Sequence, residues 1–372
     1  MKLRVPSSKS ITQRALTITA LTKGKTEIIN PLFSEDTEYL INAFNNLGTT
    51  KKVSLGNNGT GVRFLTAFCT ITNFTATITG NKRMQSRPIK DLVTALNQLG
   101  AKVSCENGCP PVTIEGKGTI KGGNIKLKGN LSSQYLSAIL LIAPHAQNDV
   151  TIEIIGELTS KPYIDITIDV MKAFGVKVQN GNYKKFKVKA GQEYSPRKFE
   201  VEGDASSATY FQAIAHLKKI PLEITNLPNT TAQPDAKFKK LLTDKPIKAD
   251  LNNMPDTVPL AAAVAALTKG KSRLTNIANL RIKECDRIAV MQSELKKIGI
   301  QTNSGKDWLE IEGNPDAIKP ATIDPHNDHR IAMAFAVIKA IHPKIRIKNP
   351  SCVKKSYPNF WEDFKKITAQ EK

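Results

Sequence analysis

Six short, small and polar segments punctuate the chain, each just ahead of an apolar helical pattern: Pro6-Ser-Ser-Lys9, Asn57-Asn-Gly-Thr60, Leu131-Ser-Ser-Gln134, Ala205-Ser-Ser-Ala208, Met254-Pro-Asp-Thr257 and Asn327-Asp-His-Arg330. Short polar side chains there accept the N–H groups that a helix's first turn leaves free, so each segment reads as a helix start. After each come β-type residues and a second amphipathic helix with a marked end, at Gly48, Gly100, Gly175, Asp244, Gly299 and Thr368. Glycine there fits a left-handed helix C-cap. Measured from Ser8, Gly59, Ser133, Ser207, Asp256 and Asp328, the distance to these ends is 37 to 43 residues in every case. A phase held six times marks an internal repeat of helix, strand, helix, then strands.

The gaps between one end and the next start fall into two classes, 11 or 12 residues and 29 to 33. Long gaps hold two β-patterned runs with turn chemistry, as in Lys102-Val103-Ser104 and Val112-Thr-Ile-Glu115 around Asn107-Gly108, followed by Asn124-Ile-Lys-Leu127. Short gaps leave room for one strand. The first and fourth units are the trimmed ones, three units apart, which predicts two similar halves of three units each. Pro259 to Leu267 and Ile331 to Ile341 are Ala-rich and apolar nearly all round, as interior helices are. The fold class is α/β: repeated βαβαββ-type units with helices inside and strands outside, an inside-out α/β barrel, with the first and fourth units shortened.

With 372 residues, 40% of them hydrophobic, the chain has material for two or three domains with real cores. The formal net charge of +21 makes nucleic acid, membrane surfaces and anionic small molecules the partners to weigh. Aromatics are 6%, and no run joins stacking rings to clustered Arg as single-strand binders do. The groupings Lys184, Lys185, Lys187, Lys189 and Lys237, Lys239, Lys240 read as solvated faces. No apolar run approaches the ~20 residues that span a bilayer, and Thr12, Gln13 and Arg14 interrupt any signal-peptide core. A soluble, unprocessed protein is expected. Cys69, Cys105, Cys109, Cys285 and Cys352 include no CxxC pair and no His at zinc spacing, which predicts reduced thiols in a cytosol-like compartment and no metal site.

Residues able to do chemistry gather at the same helix starts. Between Arg4 and Leu16, Pro6 disfavours helix at Val5, the serines can cap, and Ile11, Ala15 and Ile18 fall on one stripe. Ser10 and Arg14 share a face at the positive end of that helix, with Lys9 beside them, a place suited to a phosphate or carboxylate. Asn57 to Arg63 is a glycine-bearing turn feeding a helix, where Gly59 lets backbone amides approach an anion that Arg63 can complete. Arg87, just ahead of Pro88, offers a guanidinium fork. Ser132-Ser133-Gln134 and Ser160-Lys-Pro-Tyr163 supply the neutral donors and acceptors that a polyhydroxylated substrate needs. In Asn279 to Arg287, Lys283 and Arg287 are four apart on one helical face, with Glu284 and Asp286 between them. His329 and Arg330, preceded by Asp328, open an apolar helix where solvation is hard to arrange. His145, His216, His326 and His342 stand without companions and read as structural.

Taken together, ten ordered motifs make the chain resemble the 5-enolpyruvylshikimate-3-phosphate (EPSP) synthase family along almost its full length. They are Ser8-Lys-Ser10 with Arg14; Gly56-Asn57 and Gly59-Thr60 with Arg63; Arg83-Met84 and Arg87-Pro88-Ile89; Ser132-Ser-Gln134; Ser160-Lys-Pro-Tyr-Ile-Asp165; Val201-Glu-Gly-Asp-Ala-Ser-Ser207; Pro255-Asp256; Arg281 with Lys283-Glu284 and Asp286-Arg287; Asn327-Asp-His-Arg-Ile-Ala-Met333; and Lys355 with Pro358. Asn58 and Gly61 stand where the family usually has Ala.

The resemblance implies the enolpyruvyl transferase fold: two domains of three units, 9–233 and 1–8 with 234–372, joined by crossings near 7–9 and 231–235. It implies a reaction in which the 5-hydroxyl of shikimate 3-phosphate attacks phosphoenolpyruvate, forming a tetrahedral ketal that loses phosphate, with no metal or organic cofactor. Ser10, Arg14, Ser132, Ser133, Ser160, Tyr163, Asn279 and Lys283 are then the ligands of shikimate 3-phosphate. Lys9, Gly59, Arg87, Gln134, Arg287, Arg330 and Lys355 surround phosphoenolpyruvate. Asp256 contacts the attacking hydroxyl as its base, Glu284 exchanges protons at the methylene carbon, and Lys9, Lys355 and His329 complete the catalytic set. Closure of the two domains over the substrates, a monomer in the cytoplasm, and no nucleic-acid or membrane partner are also expected. The sister transferase acting on UDP-N-acetylglucosamine shares the fold but carries a reactive Cys in a loop of its own; no Cys here has that context. A basic nucleic-acid-binding protein on the same repeat would lack this ordered set of acid, base and anion residues.

Overall fold

The computed structural model describes residues 1–369. The chain forms two compact units, Ser7–Val201 and, from Glu202 onward, a second that also takes Met1–Pro6. The first crossing, Pro6 to Ser7, lies at the edge of the expected 7–9. The second lies between Val201 and Glu202, not at 231–235, so the expected bounds 9–233 and 234–372 are displaced. Val201–Ala205 repeats the layout of Val5–Lys9, an extended stretch running into a capped helix, whereas Pro234–Leu241 is a 3-10 helix packed on the helix that precedes it.

In the 7–201 unit, α1 (Lys9–Leu21) is capped by Ser8 and buries Ile11, Ala15 and Ile18, the stripe read from their spacing. It is followed by α2 (Glu35–Asn45), α3 (Gly59–Cys69), α4 (Lys90–Gln98), α5 (Ser133–Ile142) and α6 (Pro162–Ala173). Two four-stranded sheets share one design. Lys52–Ser54 and Thr75–Thr79 run parallel, and Cys109–Glu115 and then Lys102–Glu106 add antiparallel. Gly123–Lys128, Val150–Ile155, Lys185–Val188 and Val178–Gly181 repeat that order. Alternation sets the faces: Ile125 and Leu127 are buried while Lys126 and Lys128 are exposed. Glu27–Ile29 and Lys198–Glu200 form the third sheet, with two parallel strands. α3 and α5 are buried nearly all round, inside the sheets.

The other unit contains α7 (Ala205–Lys218), α8 (Val258–Ala266), α9 (Arg287–Lys297), α10 (His329–Ile341) and α11 (Phe360–Thr368). Every residue of α8 is buried, as its all-apolar sequence requires, and α10 packs against it. The sheet order is Lys248–Asp250, Gly270–Thr275, Trp308–Gly313, Gln301–Ser304, the same parallel-then-antiparallel design. Lys2–Leu3 pairs in parallel with Glu223–Ile224, and Thr322–Ile323 with Arg346–Ile347. The trimmed first and fourth units thus have two-stranded sheets, and so does the sixth, where the described chain ends on α11. The fourth unit's second helix, expected as amphipathic α, is the 3-10 run Pro234–Leu241.

Among the described residues no helix is long and apolar enough to cross a membrane, and no three His, Cys, Asp or Glu side chains gather as metal ligands. The five cysteines form no disulfide. The lysines at 184, 185, 189, 237, 239 and 240 are exposed, and Lys187 is half-buried beside Asp149 at 3.1 Å.

Candidate active site

In the 7–201 unit, candidate residues occupy the first turns of α1, α3 and α5 and the approaches to α4 and α6. Lys9 opens α1, and its Nζ lies 2.8 Å from Oδ2 of Asp36, in the first turn of α2. Arg14, one turn further on, is buried: its Nε donates to Thr167 Oγ1 at 2.7 Å, Nη1 to the Ser10 carbonyl at 2.8 Å and Nη2 to the Tyr163 carbonyl at 3.0 Å. Burial lowers its guanidinium to about 10, against a smaller opposing pull from Tyr163. Arg14 therefore fixes Ser10 and Tyr163 relative to each other. Ser160 adopts a left-handed φ of 56° just before α6. Ser132 caps α5 by accepting from the Gln134 N–H at 3.2 Å, and Gln134 Nε2 reaches Thr60 Oγ1 at 3.0 Å. Ser133 is buried at the first position of α5.

Arg87 lies across the start of α3. Its Nη1 donates to the Asn57 carbonyl and Oδ1 at 3.3 and 3.2 Å, and its buried Nε has no acceptor among the described residues. A Cβ on Gly59 would stand 2.6 Å from Arg87 Nη2, so glycine is what lets the guanidinium lie against the helix start. Arg63 donates to the Gly59 carbonyl at 3.0 Å and the Pro88 carbonyl at 2.8 Å, tying the two approaches together. Two guanidinium groups, the first-turn amides of α3 ahead of Gly61 and an ammonium make this corner suited to an anion.

In the other unit the charged residues form one network. Arg287, fully buried, donates from Nε to Asp328 Oδ2 at 2.8 Å, from Nη2 to Glu284 at 2.9 Å and from Nη1 to Asp256 at 3.1 Å. Arg330 Nη2 meets the other Asp256 oxygen at 2.9 Å. Burial pulls the Arg287 guanidinium down, but Asp328, Glu284 and Asp256 outweigh it and hold it above its ordinary value. Burial raises Asp256, yet Arg330, Arg287 and Lys283 hold its carboxyl well below the usual carboxylate range. Lys283 and Arg287 do not share a helical face: α9 begins at Arg287, capped by Asp286, and Lys283 is extended after the 3-10 turn Ala278–Ile282 that carries Asn279. The extended link turns Glu284 back onto Arg287. His329 is buried at the first position of α10, and Lys355 is buried at the end of the 3-10 turn Pro350–Lys355, which packs on α10.

Asp36 and Asp328, one in each unit, are not legible in sequence as partners of the candidate cations. Each reads in sequence as a helix-start acid, and only the fold shows that they hold Lys9 and Arg287. Asp235 is buried beside Ser206 in the unit from Glu202 onward.

The repeated α/β units, with sheets over buried helices, have the fold of the enolpyruvyl transferases. Solved structures agree at the level of fold: the EPSP synthase from Acinetobacter baumannii has a TM-score of 0.79 at 24% identity, covering 99% of this chain and 95% of its own. The enolpyruvyl transferase NikO from Streptomyces tendae has a TM-score of 0.76 at 15% identity, covering 100% and 95%. The sequence profile described as EPSP synthase (3-phosphoshikimate 1-carboxyvinyltransferase) matches residues 1–55 and 49–364. Proteins named 3-phosphoshikimate 1-carboxyvinyltransferase from Haemophilus influenzae (strain PittEE) and Sulfurovum sp. (strain NBC37-1) are each 39% identical, covering 99% of this chain and 96% of theirs. The chain belongs to the EPSP synthase family.

Proposed function

We propose that this protein is a transferase that moves the enolpyruvyl group of phosphoenolpyruvate onto the 5-hydroxyl of shikimate 3-phosphate and releases phosphate. The observation that carries this reading is 39% identity to enzymes of that name over 99% of the chain, with the charged motifs in place. The hydroxyl oxygen bonds to C2 of phosphoenolpyruvate as C3 gains a proton; loss of that proton and of phosphate from the ketal restores the double bond. Asp256 takes the hydroxyl proton, Glu284 serves the C3 proton, and Lys9, Lys355 and His329 assist proton transfer and phosphate departure. Ser10, Arg14, Ser132, Ser133, Ser160, Tyr163, Asn279 and Lys283 hold shikimate 3-phosphate. Lys9, Gly59, Arg87, Gln134, Arg287, Arg330 and Lys355 hold phosphoenolpyruvate.

The ion pairs of Asp256 suit this assignment. A carboxylate held that low is a weak base. When an anionic substrate draws Arg287 and Arg330 onto itself, Asp256 loses part of its counter-charge and gains basicity. A coupled phosphate-release assay with phosphoenolpyruvate and either shikimate 3-phosphate or UDP-N-acetylglucosamine tests the reading. Release with the first acceptor is expected; release with the second alone would overturn it.

A further inference from the structure

The side chain of Asn58 links two pieces of the 7–201 unit that come from different helices. Its Nδ2 donates to the Asp36 carbonyl at 2.7 Å, and its Oδ1 accepts from the Gly61 N–H at 2.8 Å. Asp36 in turn holds Lys9 through its carboxylate at 2.8 Å. One buried carboxamide therefore sets the spacing between the Lys9 ammonium and the start of α3, where Gly59 lies against Arg87. By satisfying the third N–H of the helix, Asn58 leaves the first two, on Gly59 and Thr60, for a ligand.

Gly61 is the other half of this device. A Cβ there would stand 2.6 Å from Asn58 Nδ2 and 2.9 Å from its Cγ, so any larger residue at 61 would push the carboxamide off Asp36. Gly61 has no left-handed backbone of its own to explain it; it lies inside α3, where glycine is otherwise a poor choice. The two residues are a matched pair.

We propose that Asn58, with Gly61 making room for it, is a positioning residue for phosphoenolpyruvate, acting through Asp36 on Lys9 and through the α3 start on Gly59. This rests on the function proposed above, so wild-type turnover is measured first and Lys9 is followed independently of turnover. Asn58→Ala should raise KM for phosphoenolpyruvate about tenfold while KM for shikimate 3-phosphate moves less than about twofold. Gly61→Ala should raise the same KM although alanine favours the helix, and Asn58→Ala/Gly61→Ala should be no worse than Asn58→Ala alone, because the clash and the link vanish together. Reductive methylation of the Lys9 amine, read by NMR, should speed up severalfold in Asn58→Ala. If the wild type turns over but these variants keep its KM for phosphoenolpyruvate, or if both KM values rise together with a fall in Tm, the positioning role is wrong. If the wild type does not turn over these substrates, unchanged Lys9 methylation in Asn58→Ala overturns the link by itself.

Discussion

Asp235 has one carboxylate oxygen on the Ser206 hydroxyl and the other buried with no partner among the described residues. Burial, reinforced by the charge of Asp256 and offset by Arg330, pushes its carboxyl up to about 7. The native state thus keeps a proton that the unfolded chain releases near pH 4. Between pH 4 and 7 this group makes stability fall as pH rises, by about 1.4 kcal/mol per unit at most. Asp235→Asn keeps the shape and the bond from Ser206 but cannot ionise. The variant should therefore gain stability over the wild type as pH goes from 5 to 8 in denaturant titrations; a constant difference across that range would show that Asp235 is ionised throughout. At this scale the sequence shows which residue types are present and hides their partners. Lys9, Arg287 and Arg330 stand out as cations at helix starts, but Asp36 and Asp328, which hold the first two, come from other elements and carry no mark beyond capping.

The four helix ends marked by glycine do take the left-handed conformation: φ is 89° at Gly48, 86° at Gly100, 90° at Gly175 and 93° at Gly299. Their surroundings differ. A Cβ on Gly48 would meet nothing closer than Phe74 at 3.8 Å, whereas one on Gly299 would stand 2.6 Å from the Ala317 carbonyl oxygen. Gly48→Ala should cost only the backbone preference, about 1 kcal/mol, and Gly299→Ala at least about 2 kcal/mol, as measured by urea unfolding. Equal losses would mean that the Ala317 backbone yields freely. Helix starts and glycine ends were legible because capping chemistry is local. The 3-10 run at Pro234 and the extended link at Lys283 were not, because spacing alone cannot distinguish a continuous helix from a break that tertiary packing imposes.

The repeat count and the helices-inside arrangement could be read from the chain because both follow from periodicity. The position of the second crossing could not, because two stretches with similar helix-start chemistry compete for it and the contacts of α7 decide between them. Met1–Pro6 belongs with the residues after Glu202: Lys2–Leu3 pairs with Glu223–Ile224, the Glu223 and Thr225 N–H groups donate to Met1 and Leu3 at 2.9 Å, and Asn226 brackets Val5. In vectorial synthesis the Lys2–Leu3 strand thus has no partner until the whole 7–201 unit has followed it. The nascent chain must hold that strand unpaired while the 7–201 unit folds and deliver it late. The protein can accordingly be split: a fragment beginning at Glu202 should be thermally stabilised by a free peptide of the Met1–Pro6 sequence, and a scrambled peptide should have no effect. If neither peptide raises the fragment's Tm, the late-arriving strand is dispensable. If the Met1–Pro6 peptide alone raises it, a change ahead of Ser7 acts on the unit from Glu202 onward and not on the unit that follows it directly in sequence.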